Sequence, residues 1–198
     1  MAEITKGTLR TRFQGYRGSL PLEEASARSS AICENIMSTG LLDRPGLVLL
    51  YSAMLDAGEA DVSDLVGHLF GQQRDIALPV ILEFSGYTGR RRLDLRMCSP
   101  GQELTMNSWG IGEPVSGTVI PISDISVAVI PALGAGRNMH RIGHGSGYYD
   151  EILRNAKCTT ICPVYSGCLV ESVPFEEHDI QVDYIATETE IIGRDRAL

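Results

Sequence analysis

The chain has 198 residues, of which 43% are hydrophobic and 21% are charged, and these proportions are typical of a globular protein with a substantial core. It carries 17 basic against 25 acidic residues, and the formal net charge of −8 argues against a general nucleic-acid or polyanion surface. No apolar run approaches the ~20 residues of a membrane span, and the N-terminus lacks a signal-peptide core. The cysteines form no Cys-x-x-Cys pair, so we predict that their thiols are reduced. We therefore predict a single cytoplasmic domain over residues 1–198.

The first part of the chain predicts two helices followed by alternating strands and helices. Residues 5–39 favour two helices that are separated at Pro21. Lys6 and Arg10 lie four residues apart and therefore share a helix face. That face is either solvated or presents two cations to a polyphosphate, and the spacing alone leaves both readings open. The segments that follow are a buried strand at 47–51, a helix at 62–70 and a second strand at 75–82, an order that favours a parallel sheet.

The middle of the chain, residues 84–118, interrupts this alternation. Its glycines and its arginine run at 90–92 predict a hairpin region with a solvated turn. Residues 93–97 and 102–106 favour short antiparallel strands, and we predict that residues 109–114 form a loop.

A glycine-rich segment, residues 141–150, follows the buried strand predicted at 125–130, and we call it the glycine loop. Its sequence is Arg-Ile-Gly-His-Gly-Ser-Gly-Tyr-Tyr-Asp. Glycines let backbone N–H groups approach an anion closely, Arg141 offers a fork of donors for phosphate, and Asp150 is able to hold magnesium. The spacing differs from the P-loop and dinucleotide fingerprints, so from spacing alone the segment is either a phosphate cradle or a flexible loop. A helix at 148–155 and strands at 159–165 and 182–187 are predicted after it.

The ordered set of motifs resembles the 5-formyltetrahydrofolate cyclo-ligase family, also called 5,10-methenyltetrahydrofolate synthetases. The motifs span most of the chain, and the glycine loop is the most specific of them. The matching residues are Lys6 and Arg10, then Glu59 with Asp61, then Gly110-Ile111-Gly112-Glu113-Pro114, then Pro131-Ala132-Leu133 followed by the glycine loop, and finally Pro174, His178-Asp179, Val182-Asp183 and Thr187-Glu188.

The resemblance implies a three-layer α/β/α sandwich with a Rossmann-like, mostly parallel sheet and a small antiparallel hairpin region. It also implies a reaction that depends on ATP and Mg²⁺. ATP phosphorylates the formyl oxygen of 5-formyltetrahydrofolate, with or without a polyglutamate tail, and the folate N10 then attacks the activated carbon. Phosphate leaves, and 5,10-methenyltetrahydrofolate and ADP result, so the protein mainly positions groups and neutralises charge.

The same resemblance assigns roles to individual residues. For ATP they are Lys6, Arg10, Arg141, Ile142, Gly143, His144, Gly145, Ser146, Gly147, Tyr148 and Tyr149. For the folate they are Met54, Glu59, Trp109, His144, Gly145, Ser146, Gly147 and Tyr148. Glu59, Arg141 and Tyr149 are assigned to the chemical step, and Asp150 and Asp183 to magnesium.

Two departures from the family pattern keep other functions open. Gly136 and Met139 stand where the family usually has an aspartate and a glycine. They motivate a divergent paralogue that acts on another small molecule, for example in thiamine salvage. A non-catalytic nucleotide or folate binder is the third possibility.

Overall fold

The computed structural model describes residues 4–82, 92–108, 110–154 and 156–194. Arg90 and Arg91 of the predicted turn, the predicted folate residue Trp109, and Asn155 at the end of the last predicted helix lie outside these ranges.

Within the described residues, four α-helices form where the sequence predicts them. Pro21 separates the first two, and the Thr5 side chain caps the first by accepting a hydrogen bond from the Thr8 N–H. No helix in the described ranges combines the length and apolar character needed to cross a membrane. The helices are α1 (Lys6–Ser19), α2 (Leu22–Ser38), α3 (Ser63–Gly71) and α4 (Tyr148–Leu153).

The strands form one large sheet and two small ones. The large sheet has seven strands in the order β12-β11-β9-β6-β1-β2-β3, of which β12 and β3 are antiparallel to their neighbours and the other pairs are parallel. The small sheets are β10-β7-β8 and β4-β5. The strands are β1 (Leu47–Leu49), β2 (Ile76–Leu82), β3 (Arg92–Cys98), β4 (Leu104–Met106), β5 (Gly112–Pro114), β6 (Ile125–Val129), β7 (Gly134–Gly136), β8 (Arg141–Ile142), β9 (Thr159–Pro163), β10 (Leu169–Val170), β11 (Tyr184–Ala186) and β12 (Ile191–Gly193).

The central strands of the large sheet are buried on both faces, which explains why β1 and β6 are almost continuously apolar. In β1, Val48 faces a core formed with α2 and α3, whereas Leu49 faces a second core that includes Leu153 of α4. Helices therefore cover both faces of a mostly parallel sheet, and the predicted α/β architecture is confirmed.

The small antiparallel hairpin predicted for the middle of the chain is confirmed and consists of β4 and β5, whereas β3 pairs antiparallel with β2 in the large sheet. The prediction was wrong in one detail, because Gly112–Pro114 is a strand where a loop was predicted. Glycine, glutamate and proline are poor strand formers, so their extended state depends on long-range contacts. The Ser52 hydroxyl donates to the Gly112 carbonyl, and the Glu113 carboxylate accepts the Ile81 N–H at 2.9 Å.

The sequence analysis did not predict β7, which lies between β6 and the glycine loop, or β8, which is formed by the first two residues of that loop. These strands form a surface on which α1 lies, because Leu9 and Phe13 pack with Leu133 and Ile142. A Cβ atom at Gly134 would lie 2.5 Å from the Phe13 ring, so only glycine allows this close approach.

The two departures from the family pattern have local explanations in this segment. Gly136 is buried in β7, and the space that a Cβ would occupy is filled by the Asn138 amide, whose oxygen lies 2.3 Å from that position. This amide exchanges hydrogen bonds with the backbone of Val173. Met139 keeps a left-handed conformation, with φ of 65°, at the position where the family has glycine.

Candidate functional site

A cavity of about 830 Å³ opens at the carboxyl ends of β1 and β6, and we call it the main cavity. Its volume falls within the range of small-ligand pockets. The strand order reverses between β1 and β6, since β2 lies on one side of this pair and β9 on the other. Open α/β sheets bind ligands at such a switch point. The walls come from α1, from the loops that follow β1 and β6, and from the glycine loop.

The glycine loop lines the main cavity with its backbone largely exposed. A Cβ at Gly143 or Gly147 would meet nothing within 4 Å. Gly145 and Gly147 have φ of 107° and 70°, which favours glycine at both positions. Arg10 of α1 donates from Nε to the Gly143 carbonyl at 2.9 Å and so fixes the loop against the first helix.

Arg141 lies at the base of the glycine loop with a side chain that is only 5% exposed. Its guanidinium donates to the Ile180 carbonyl and to Oδ1 of Asp150, both at 3.0 Å. The Ile180 N–H donates to the same Asp150 oxygen at 3.1 Å. This network holds a cation and a carboxylate side by side on the cavity wall.

Lys6 reaches the main cavity from the first turn of α1, where it forms ion pairs with Glu176 and Asp179. Burial opposes a rise in the pKa of Lys6, but the hydrogen bonds to the two carboxylates outweigh it and raise the pKa above the ordinary value. Lys6 therefore stays cationic. The predicted helix face of Lys6 and Arg10 is directed at the cavity and not at bulk solvent.

Glu59 is a buried carboxylate on the opposite wall, in the loop that follows β1. Its side chain is 3% exposed, and Oε2 accepts the Met54 N–H at 2.9 Å. The Nε2 atom of His144 in the glycine loop lies 3.3 Å from Oε1. Both carboxylate oxygens thus have partners, and both partners line the main cavity.

Two tyrosines near Glu59 keep their hydroxyl protons. Burial, reinforced by the negative charge of Glu59, raises the pKa of Tyr149 and that of Tyr51 well above the ordinary value. The Tyr51 hydroxyl donates to the Ala60 carbonyl at 2.7 Å, which positions the residue beside Glu59. Tyr149 is therefore a hydrogen-bond donor and not a base at neutral pH.

Asp183, the second predicted magnesium ligand, lines a different cavity of about 760 Å³, which we call the second cavity. Its Oδ2 accepts hydrogen bonds from the N–H and the hydroxyl of Thr160, and its Oδ1 accepts from Arg194 at 3.0 Å. The two cavities share Glu176 and Asp179 as a wall. Within the described part of the chain, no three His, Cys, Asp or Glu side chains are grouped so that they could hold a metal ion.

The predicted ATP and folate residues in the described ranges all line the main cavity, namely Lys6, Arg10, Met54, Glu59 and the whole glycine loop. The sequence analysis gave no role to Tyr51, Glu176 or Asp179, which also line it. The position of Tyr51 directly after the first strand was an available signal for the switch point. The ion pairs of Lys6 with Glu176 and Asp179 had no such signal, because they join residues at least 170 positions apart.

Comparison with known proteins points to one family. The model of the 5-formyltetrahydrofolate cyclo-ligase family matches residues 2–188. The 5-formyltetrahydrofolate cyclo-ligase of Mus musculus is 22% identical over 205 residues, which cover 95% of this chain and 98% of the mouse protein.

Two solved structures resemble the whole fold. The NMR structure of Aquifex aeolicus 5,10-methenyltetrahydrofolate synthetase has a TM-score of 0.82 and 26% identity, and the match covers 98% of this chain and 95% of that one. The 5,10-methenyltetrahydrofolate synthetase of Mycoplasma pneumoniae has a TM-score of 0.71 and 19% identity, with coverage of 92% and 98%.

Proposed function

The chain belongs to the 5-formyltetrahydrofolate cyclo-ligase family, and on that premise we propose that it converts 5-formyltetrahydrofolate to 5,10-methenyltetrahydrofolate while ATP becomes ADP and phosphate. The main cavity carries the proposal, because it joins a cationic, glycine-rich wall to a wall with a buried carboxylate. The first wall suits a polyphosphate and the second suits a ring with N–H donors. The buried, unbridged cysteines fit a reducing compartment, so a cytoplasmic location is part of the proposal.

The phosphates of ATP bind at the glycine loop in this proposal. Gly143, Gly145 and Gly147 line the cavity, so a phosphate bound there would approach their backbone N–H groups, while Lys6, Arg10 and Arg141 neutralise charge. Arg141 is pre-positioned by Asp150 and Ile180, so it loses little side-chain freedom when a phosphate binds.

The folate occupies the wall of the main cavity that contains Met54 and Glu59. Glu59 accepts hydrogen bonds from polar N–H groups of the pterin, because an ionised carboxylate is an acceptor only. Ile81, Leu93 and Ile111 line the same side of the cavity and provide apolar contact for the flat ring.

The chemical step uses these groups as fixed electrostatic partners. Arg141 stabilises the negative charge on the phosphoryl group in transfer, and the protonated Tyr149 hydroxyl donates a hydrogen bond beside it. The product carries a positive charge on the methenyl bridge, which the nearby carboxylate of Glu59 stabilises.

Asp150 is the better placed of the two proposed magnesium ligands. It lies on the wall of the main cavity with a side chain that is 23% exposed, and both of its hydrogen bonds to described residues use Oδ1. Magnesium binds one or two carboxylates together with phosphate and water oxygens, and when bound it would neutralise phosphate charge. We propose Asp183 as a second ligand, although Thr160 and Arg194 engage its carboxylate.

An absorbance assay tests the function directly. We expect the protein to form the methenyl chromophore from 5-formyltetrahydrofolate when ATP and magnesium are present, and not when either is omitted. ATP binding without any chromophore would contradict the proposal and favour a divergent paralogue or a non-catalytic binder.

A variant tests the metal ligand in the same assay. We expect Asp183→Ala to raise the magnesium concentration needed for half-maximal turnover, whereas Asp124→Ala, at an exposed aspartate of another loop, leaves it unchanged. An unchanged magnesium dependence in Asp183→Ala would remove Asp183 from the proposed site.

A further inference from the structure

His144 makes a contact that the family motif does not specify. It occupies a variable position of the glycine loop, yet its Nε2 lies 3.3 Å from Oε1 of the buried Glu59. Its side chain is 37% exposed, so the ring lies between Glu59 and the open part of the main cavity. The contact joins residues 85 positions apart in the sequence and places an imidazole where the folate is proposed to bind.

The geometry fixes the neutral tautomer of His144. An ionised carboxylate has no proton to donate, so Nε2 carries the hydrogen that Glu59 accepts. Nδ1 then carries the lone pair and is the atom that is able to take up a proton. Glu59 stabilises the imidazolium that would form, in the way that a carboxylate supports histidine in other general-base pairs.

We infer that His144 is the proton acceptor for ring closure, an inference that rests on the proposed function. The N10 lone pair attacks the carbon of the phosphorylated formyl group, and a C–N bond forms. The N10 proton passes to Nδ1 of His144, the C–O bond breaks, and the oxygen leaves with the phosphate. Nδ1 later gives the proton to solvent at the exposed edge of the ring. The electron pair of the broken N–H bond stays on N10 and completes the methenyl bridge.

The other groups around His144 are less suitable acceptors. Arg10, Lys6 and Arg141 are cations without a lone pair to offer. Tyr51 and Tyr149 are protonated, because burial and the charge of Glu59 raise the pKa of each. Asp179 and Glu176 are paired with Lys6, and the side chain of His178 is 60% exposed at the rim. Glu59 itself already accepts hydrogen bonds at both oxygens.

Single-turnover kinetics separate ring closure, in which we infer that His144 takes part, from phosphorylation, in which it does not. ADP formation reports phosphorylation, and the methenyl absorbance reports ring closure. We expect His144→Gln to slow formation of the methenyl product about 100-fold more than it slows formation of ADP, at the low end of general-base contributions. Equal slowing of both steps, or no slowing of ring closure, would overturn the inference. A wild-type protein that forms no methenyl product would instead overturn the proposed function.

The pH dependence and a chemical rescue give independent readouts. The wild-type ring-closure rate should fall on the acid side of the pH–rate profile, because a protonated imidazole cannot accept the N10 proton, and this acid limb should be absent in His144→Gln. His178→Gln should keep the limb, and His68→Gln, in α3 away from the cavity, should keep both the limb and the rate. Added imidazole should restore ring closure in His144→Ala. A limb that persists in His144→Gln, or the absence of rescue in His144→Ala, would show that His144 acts only through the shape of the site.

Discussion

Glycines serve opposite purposes in two neighbouring segments of this protein. In β7, Gly134 and Gly136 are buried, and a Cβ at either position would lie within 2.5 Å of another residue's atoms. In the glycine loop, Gly143 and Gly147 face open space. The first pair allows one segment of the protein to pack closely against another, whereas the second pair leaves the backbone accessible to a ligand. Glycine content alone does not distinguish these roles, but the surroundings of each glycine do.

The largest effect should be a loss of stability when a buried glycine of β7 is replaced. Gly134→Ala would place a methyl group 2.5 Å from the Phe13 ring and from the Cys168 carbonyl, so we expect the free energy of unfolding to fall by about 3 kcal/mol. Urea denaturation measures it. Gly15→Ala is the matched control, because Gly15 is exposed in α1 with open space around it, and this change should stabilise by about 0.5–1 kcal/mol. Equal effects of the two substitutions would contradict the packing role.

A smaller effect, on ligand binding, should come from the cation at the base of the glycine loop. We expect Arg141→Ala to weaken ATP binding by about 1–3 kcal/mol, the range for charge-assisted contacts. Calorimetric titration measures the affinity, and Arg12→Ala, an exposed arginine of α1 outside the cavity, should leave it unchanged. ATP affinity that is the same in Arg141→Ala as in the wild type would refute the phosphate role of Arg141.

The sharpest test of the comparison is an alanine in the glycine loop. Gly143→Ala has space for its methyl group and no left-handed φ, so the free energy of unfolding should stay within about 0.5 kcal/mol of the wild type. ATP binding should weaken by about 1 kcal/mol, because the methyl group hinders the approach of a phosphate to the backbone N–H. Gly145→Val is a less clean choice, since φ of 107° at Gly145 would add backbone strain. A stability loss in Gly143→Ala as large as that of Gly134→Ala would end the distinction between the two segments.

The smallest effect concerns the pH dependence of stability, to which the carboxylate of Glu188, away from the glycine loop, contributes. Burial opposes a low pKa for Glu188, but hydrogen bonds from Ser166 and Arg28 outweigh it and hold the pKa below 4.5. A lowered folded-state pKa contributes stability above the unfolded pKa, and this contribution is lost as the pH falls through the folded value. We therefore expect Glu188→Gln to be less stable than the wild type at pH 7 and to lose less stability between pH 5 and pH 3, as thermal unfolding at several pH values would show. Parallel pH curves for the two proteins would contradict this assignment.

The sequence predicted most of the fold, because local patterns determine most of it. Pro21, the apolar runs of β1 and β6 and the glycine loop all lie where local physical rules place them. The strand at Gly112–Pro114 was missed because its residues are poor strand formers, and their extended state depends on contacts with distant residues such as Ser52. The pairing of His144 with Glu59 was missed for the same reason.

The family departures show what a sequence pattern cannot decide by itself. The loss of an aspartate at Gly136 reads as a missing charge near the phosphates, yet Gly136 lines neither of the two cavities. Asn138 fills the space beside Gly136, which is two positions away in the sequence. Met139 keeps the turn conformation of the usual glycine despite its side chain, which the surrounding core buries.

Much of the packing surface of the first helix comes from residues in the last third of the chain. Its apolar side chains, such as Phe13, contact Cys168 and Val173, and Lys6 pairs with Asp179 across 173 positions. Synthesis proceeds from the N-terminus at ~5–20 residues per second, so α1 leaves the ribosome well before its partners exist. A nascent chain therefore holds an unpaired amphipathic helix, which is a natural target for chaperones. A chain that ends before Asp179 would retain α1 but lack part of the wall of the main cavity.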